Sequence, residues 1–111
     1  MRVLVTGAAG FYGSNFVNVL LGDDRVESIV GLDNCIGLKD FPLDPFNIIE
    51  DKKAFAKKFT LLKQDYRDLT AKKVDDLNVD AIVHYAALVS IPESMDKPLE
   101  YFDVNEYGVF K

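Results

Sequence analysis

The sequence predicts an α/β fold, a doubly wound parallel sheet with helices on both faces. Three observations carry this expectation. Short apolar runs alternate with segments of helical period in the order β-α-β-α-β-α-β-α. Such alternation folds as parallel strands joined by right-handed crossovers. The first run, Val3-Leu4-Val5, opens at once into three glycines spaced three apart, Gly7, Gly10 and Gly13. A second run, Ile29-Val30-Gly31-Leu32, ends in Asp33, 20 residues beyond the last glycine. The expected strand order is 3-2-1-4, which places any ligand beyond the carboxyl ends of the strands.

Each glycine has a separate task. Gly7 allows the tight turn off the first strand, Gly10 lets a ligand approach the backbone, and Gly13 lets the following helix lie close to the sheet. The unpaired N–H groups of that helix, with roughly half a positive charge from its dipole, face the turn. A pyrophosphate fits there, because its oxygens need donors and its charge needs a counter-potential. An acid at the spacing of Asp33 suits a ribose 2′-hydroxyl. Together these features point to a dinucleotide.

Along the chain, Tyr12, Phe16, Val19 and Leu20 fall on one face of the first helix, and Gly22 is the expected left-handed cap. Val26 to Leu32 forms the second strand. Residues 34 to 47, with Gly37, Pro42 and Pro45, form a long loop. Ile48 to Lys58 forms a basic and apolar helix, and Phe59 to Lys63 the third strand. Asp68 is the expected N-cap of a helix reaching Leu77. Val79 to Tyr85 forms the fourth strand, Ala86 to Lys97 a loop, and Pro98 opens the last helix. The fourth strand is an apolar edge, and the chain on its own is expected to self-associate through it.

At 111 residues with 49% hydrophobic residues, the chain is one domain or part of one. A net charge of −5 argues against a nucleic-acid partner. Lys52, Lys53, Lys57 and Lys58 read as a solvated helix face. One cysteine, Cys35, excludes an internal disulfide and fits a reducing compartment. Apolar runs are too short for a signal peptide or a membrane span, so a cytoplasmic location is expected. Residues of metal-ligand type show no ligand spacing, so no metal is expected.

Several stretches resemble the NAD-dependent epimerase/dehydratase family, the extended short-chain dehydrogenase/reductases. Thr6-Gly7-Ala8-Ala9-Gly10-Phe11-Tyr12-Gly13 resembles the family's glycine turn, and Leu32-Asp33-Asn34 its ribose-binding strand end. Gln64-Asp65-Tyr66-Arg67-Asp68 resembles the segment whose first Asp and following residue touch adenine. His84-Tyr85-Ala86-Ala87 and Asn105-x-x-Gly108 resemble the loop and helix lining the rest of the cofactor. The stretch from Pro92 to Phe102 is especially similar to UDP-glucose 4-epimerases. Departures are Tyr12 for Ile, Gln64 for Gly, Val89 where some 4-epimerases have Lys, and Val109 where Thr is usual.

The resemblance implies a Rossmann-type domain over residues 1–111 that binds NAD through Gly7, Gly10, Phe11, Tyr12, Gly13, Asp33, Asn34, Asp65, Tyr66, Tyr85, Ala86, Ala87 and Asn105. It also implies transient oxidation of a nucleotide sugar by a full-length homodimer. The family's catalytic Tyr-x-x-x-Lys segment and sugar-nucleotide domain are not in these residues, so no catalytic residue is assigned and the chain alone is expected to be inactive. Tyr107 and Lys111 reproduce the spacing of that pair, but they stand one strand and one helix too early, which makes the match chance. A non-catalytic NAD sensor is the alternative. His84, the sole histidine, is expected to be structural, and Cys35 has no partner that would make it a nucleophile.

Overall fold

The computed structural model describes residues 1–35, 45–87 and 91–105. Its strands are β1 (Arg2–Thr6), β2 (Ser28–Asp33), β3 (Phe59–Lys63) and β4 (Ala81–His84). Its helices are α1 (Phe11–Leu21), α2 (Lys52–Lys58), α3 (Ala71–Leu77), α4 (Ile91–Asp96) and α5 (Pro98–Asn105), with single 3-10 turns at Pro45–Ile48 and Tyr66–Asp68. The sheet has the order β3-β2-β1-β4, and all its pairs are parallel, as the alternating sequence predicts. Leu4 is completely buried and Leu32 nearly so. This follows from their place on inner strands of a sheet covered on both faces.

Helix α1 seats Val17 and Leu21 on Val3, Val5, Ala8 and Ile29. The expected inward face needs correcting. Tyr12 is 73% and Val19 68% exposed, while Phe16 and Leu20 pack only at the margin. The true buried stripe is Gly13, Ser14, Val17 and Leu21. The first helical turn sits so close to the glycine turn that only small residues fit beneath it. Apolar periodicity therefore missed the two polar or side-chain-free positions. Gly22 also departs from expectation, with φ −84 and ψ −2 in the right-handed region. The helix ends instead by tightening: Gly22 and Asp23 donate to the carbonyls of Val19 and Leu20.

Other boundaries moved where a side chain captured a backbone amide. The helix expected from Ile48 begins only at Lys52, because the Asp51 carboxylate accepts the Ala54 N–H at 2.9 Å. Pro45–Ile48, expected as loop, forms one of the 3-10 turns, while residues 36–44 lie outside the described residues. Thr70, not Asp68, caps α3, its Oγ1 accepting the Lys73 N–H at 3.2 Å. The β2 strand starts at Ser28 rather than Val26, whose buried N–H instead donates to Asp23. Helix α4 occupies part of the expected loop after β4, as a proline is tolerated in a first helical turn. Pro98 does open α5.

Beside α1, against the same core, Phe46, Phe55 and Phe59 pack together with centroids 4.7 to 5.3 Å apart. Among the described strands β4 is an edge, with Ile82 54% exposed. Gly31 leaves room for the aromatic cluster. A Cβ there would lie 2.5 Å from Phe59 Cζ and 2.8 Å from Ala8 Cβ. The Phe59 ring is wedged by its two neighbours, so it has little room to yield. Gly31→Ala is therefore expected to cost about 1–3 kcal/mol through overpacking. Urea denaturation checks this, and an unchanged midpoint would show that the ring moves aside freely.

Candidate functional site

The carboxyl ends of the strands meet around the glycine turn. Gly7 has φ +69, a left-handed conformation in which a Cβ would lie 2.6 Å from the Tyr85 carbonyl carbon and the Ala86 nitrogen. The turn thus lies directly on the backbone that leaves β4. The Gly7 N–H donates to Leu32 O at 2.8 Å, and the Tyr85 N–H to Thr6 O at 3.0 Å, so the ends of β2, β1 and β4 are joined. At Gly13 a Cβ would stand 2.0 Å from Gly7 O. Only glycine permits that approach.

Gly10 is the N-cap of α1, extended at φ −79 and ψ 175, and it brings no side-chain cap. The first intrahelical bond runs from the Ser14 N–H to Gly10 O. Helix geometry then leaves the N–H groups of Phe11, Tyr12 and Gly13 without intrahelical acceptors, at the positive end of the dipole. The rings of Phe11 and Tyr12 project outward, 78% and 73% exposed, so these residues offer the turn their backbone. Tyr12 stacks against Tyr85 at 6.5 Å, and Phe16 packs on Tyr85 at 5.7 Å, forming an aromatic wall beside the turn.

Asp33 is tied into the same turn. One carboxylate oxygen accepts the Ala9 N–H at 2.9 Å, and the other accepts the Cys35 N–H at 2.8 Å. It remains half-exposed, and so does Asn34 beside it. Cys35 has φ +61, and burial together with the nearby Asp33 charge pushes its thiol pKa up. A raised thiol pKa disfavours the nucleophilic thiolate, in keeping with the reading of the sequence.

The end of β3 joins through the Gln64 N–H, which donates to Asp33 O at 3.0 Å. Asp65 and Tyr66 follow. The Asp65 carboxylate is held by the Arg67 guanidinium, with Nη2 to Oδ2 at 2.6 Å. The Tyr66 ring lies on the His84 imidazole at 4.8 Å. His84 Nδ1 is 2.6 Å from Thr6 Oγ1, which also accepts the Ala86 N–H at 3.3 Å. Ala87 is exposed beyond it, and Asn105 closes α5 two residues after Asp103, which binds Arg67.

Every site residue named from the sequence therefore lies among the described residues. Tyr107, Gly108, Lys111 and Val89 lie outside them. Sequence reasoning passed over three participants: buried Thr6, the Arg67 guanidinium and Asp103. Thr6 and Arg67 stood inside motifs already singled out. Asp103 carried no signal, since only the fold brings α5 to the end of β3.

Residues 4–111 match the family model described as GDP-mannose 4,6 dehydratase. The chain belongs to this epimerase/dehydratase family. A UDP-glucose 4-epimerase of Klebsiella pneumoniae is 34% identical over 113 residues, covering all of this chain and 76% of that protein. A dTDP-glucose 4,6-dehydratase of Mycolicibacterium smegmatis is 34% identical over 112 residues, covering 99% of this chain and 31% of the relative. The crystal structure of a UDP-glucose 4-epimerase from Bifidobacterium longum, in complex with NAD+ and UDP, matches with a TM-score of 0.72 at 28% identity. It is covered to 31% of its length by 99% of this chain. The chain thus spans under a third of these last two relatives.

In this member of the epimerase/dehydratase family His84 is the only histidine, which isolates one titration. Burial lowers its pKa from the ordinary 6.5. Below that value the unfolded chain takes up a proton that the folded chain resists. Stability is complete above about pH 6.5 and falls as the solution is acidified through the lowered pKa. The difference in stability between pH 7.5 and pH 5.5 is expected to shrink in His84→Gln. Equal pH dependence in both proteins, measured by urea denaturation, would remove His84 as the cause.

Proposed function

We propose that residues 1–111 form the NAD-binding Rossmann domain of a sugar-nucleotide epimerase or dehydratase, acting on a nucleotide sugar by transient oxidation. The observation that carries this is the set of open amides at Phe11, Tyr12 and Gly13, facing a turn that glycine alone permits. These donors, with Gly7 and Gly10 leaving the backbone bare, suit a pyrophosphate. Asp33, one hydrogen bond from the turn, suits the adenosine ribose, and Asn34 stands beside it. Asp65 and Tyr66 would meet adenine, while Tyr85, Ala86, Ala87 and Asn105 would line the remainder. NAD, when bound, supplies the hydride acceptor for the sugar carbon. The chain's own residues bind and orient it.

The relatives are epimerases and dehydratases by name, which favours an enzyme over a non-catalytic NAD sensor. Their greater length supports a catalytic Tyr-Lys segment and a sugar-nucleotide domain elsewhere in the protein. A homodimer of the full-length protein is supported by large apolar side chains left exposed, Met95 on α4 and Leu99 and Phe102 on α5. No helix among the described residues is long and apolar enough to cross a membrane, and the lone cysteine suits a cytoplasmic setting.

Cofactor choice tests this reading. A 2′-phosphate placed at about 4 Å from Asp33 would be repelled by roughly 4 kcal/mol per charge pair at an effective dielectric near 20. If only a quarter of that survives, NAD is preferred over NADP by about fivefold. Asp33→Asn removes the charge and keeps one acceptor oxygen, enough for one of the two amides from Ala9 and Cys35, and it should narrow the gap. Calorimetric titration showing equal affinity for both cofactors in the unmutated protein would contradict the assignment of Asp33.

A further inference from the structure

Arg67 makes more contacts than a solvated surface arginine requires. Its Nε lies 3.0 and 3.1 Å from the two oxygens of Asp65, and its Nη2 lies 2.6 Å from Oδ2. Its own backbone N–H donates to Asp65 Oδ1 at 2.9 Å. The remaining arm, Nη1, reaches Asp103 Oδ2 on α5 at 2.5 Å, across 36 residues of chain. The guanidinium is only 27% exposed, and the two carboxylates 22% and 40%. A planar fork engaging a carboxylate through two nitrogens fixes the plane as well as the position of that carboxylate.

We propose that Arg67 is a positioning residue for the cofactor's base. It orients the Asp65 carboxylate for the adenine amino group and, through Asp103, fixes α5 and hence Asn105 against the same ligand. This rests on the reading that NAD binds with adenine at Asp65. Without the guanidinium, Asp65 and Asp103 lose the cation that both of them bind, and the Arg67 backbone N–H on Oδ1 does not by itself fix the plane of the Asp65 carboxylate. Tyr66, whose ring rests on His84, lies within the field of these charges. Its phenol pKa is raised by burial first and then by the Asp65 and Asp103 charges, with Arg67 opposing them. Lysine cannot replace the fork, since its ammonium is a point charge that leaves the carboxylate plane free.

The test compares NAD with nicotinamide hypoxanthine dinucleotide, in which a carbonyl replaces the adenine amino group. Hypoxanthine also carries a proton on N1; a fixed Asp65 carboxylate accepts from the amino group and repels the carbonyl, whereas one free to turn can accept the N1–H instead. Equilibrium dialysis on the full chain should show NAD preferred by about tenfold or more, the scale of one charge-assisted hydrogen bond. In Arg67→Met and Arg67→Lys the preference should fall to within about threefold, while circular dichroism shows the fold retained. If Arg67→Met does not fold, Arg67→Lys carries the same comparison. Asp103→Asn should weaken both dinucleotides alike and keep the base preference, since the Asp65 fork is untouched. An Arg67→Lys protein that keeps the full preference would overturn the proposal. Failure of the unmutated chain to bind NAD at all would instead overturn the cofactor reading on which it rests.

Discussion

The contact between Gly13 and the Gly7 carbonyl sets the position of everything else in the site. A Cβ at Gly13 would stand 2.0 Å from that oxygen, so any other residue would lift α1 away from the sheet. Lowered onto it, the helix buries Gly13 and Ser14 at its first turn and Val17 and Leu21 below. The same approach aims the first-turn amides over the carboxyl end of β1, where ligands of such sheets bind. Packing and binding potential here have one cause. The Gly7 backbone, held left-handed against Tyr85 and Ala86, locks the turn from the other side.

Two carboxylates stand at the ends of neighbouring strands, and the chain holds each by different means. Asp33 is fixed by backbone amides from the turn and from Cys35, so its orientation is linked to the fold of the turn itself. Asp65 is fixed by a side chain, the Arg67 fork, which also reaches α5. Acidic groups are therefore retained in a chain of net charge −5 without leaving charges loose at the site. Below them, the Thr6 hydroxyl, His84 and the Ala86 amide connect the ends of β1 and β4.

The sheet order and the glycine turn were legible because both follow from local backbone rules: continuous apolar runs, and glycines where no Cβ fits. The buried face of α1 was misread because its inward positions include Gly13 and Ser14, which carry no hydrophobic signal. Helix starts at Lys52 and Ala71 depended on which nearby Asp or Thr captured an amide, and several candidates stood close together. The place of Asp33 at the end of β2 was legible from its spacing, although its bond to Ala9 was not. The Arg67–Asp103 pair joins residues 36 apart, and no periodicity encodes a contact of that kind.

The proposed cofactor site requires that the open amides at the start of α1 receive the phosphates of a dinucleotide. Amide-resolved nuclear magnetic resonance during titration with NAD tests it most directly. Saturable shifts are expected at the N–H signals of Phe11, Tyr12 and Gly13, with smaller ones at Ala9 and Cys35 through Asp33. Saturable binding of NAD that leaves the Phe11, Tyr12 and Gly13 amides unmoved would contradict it.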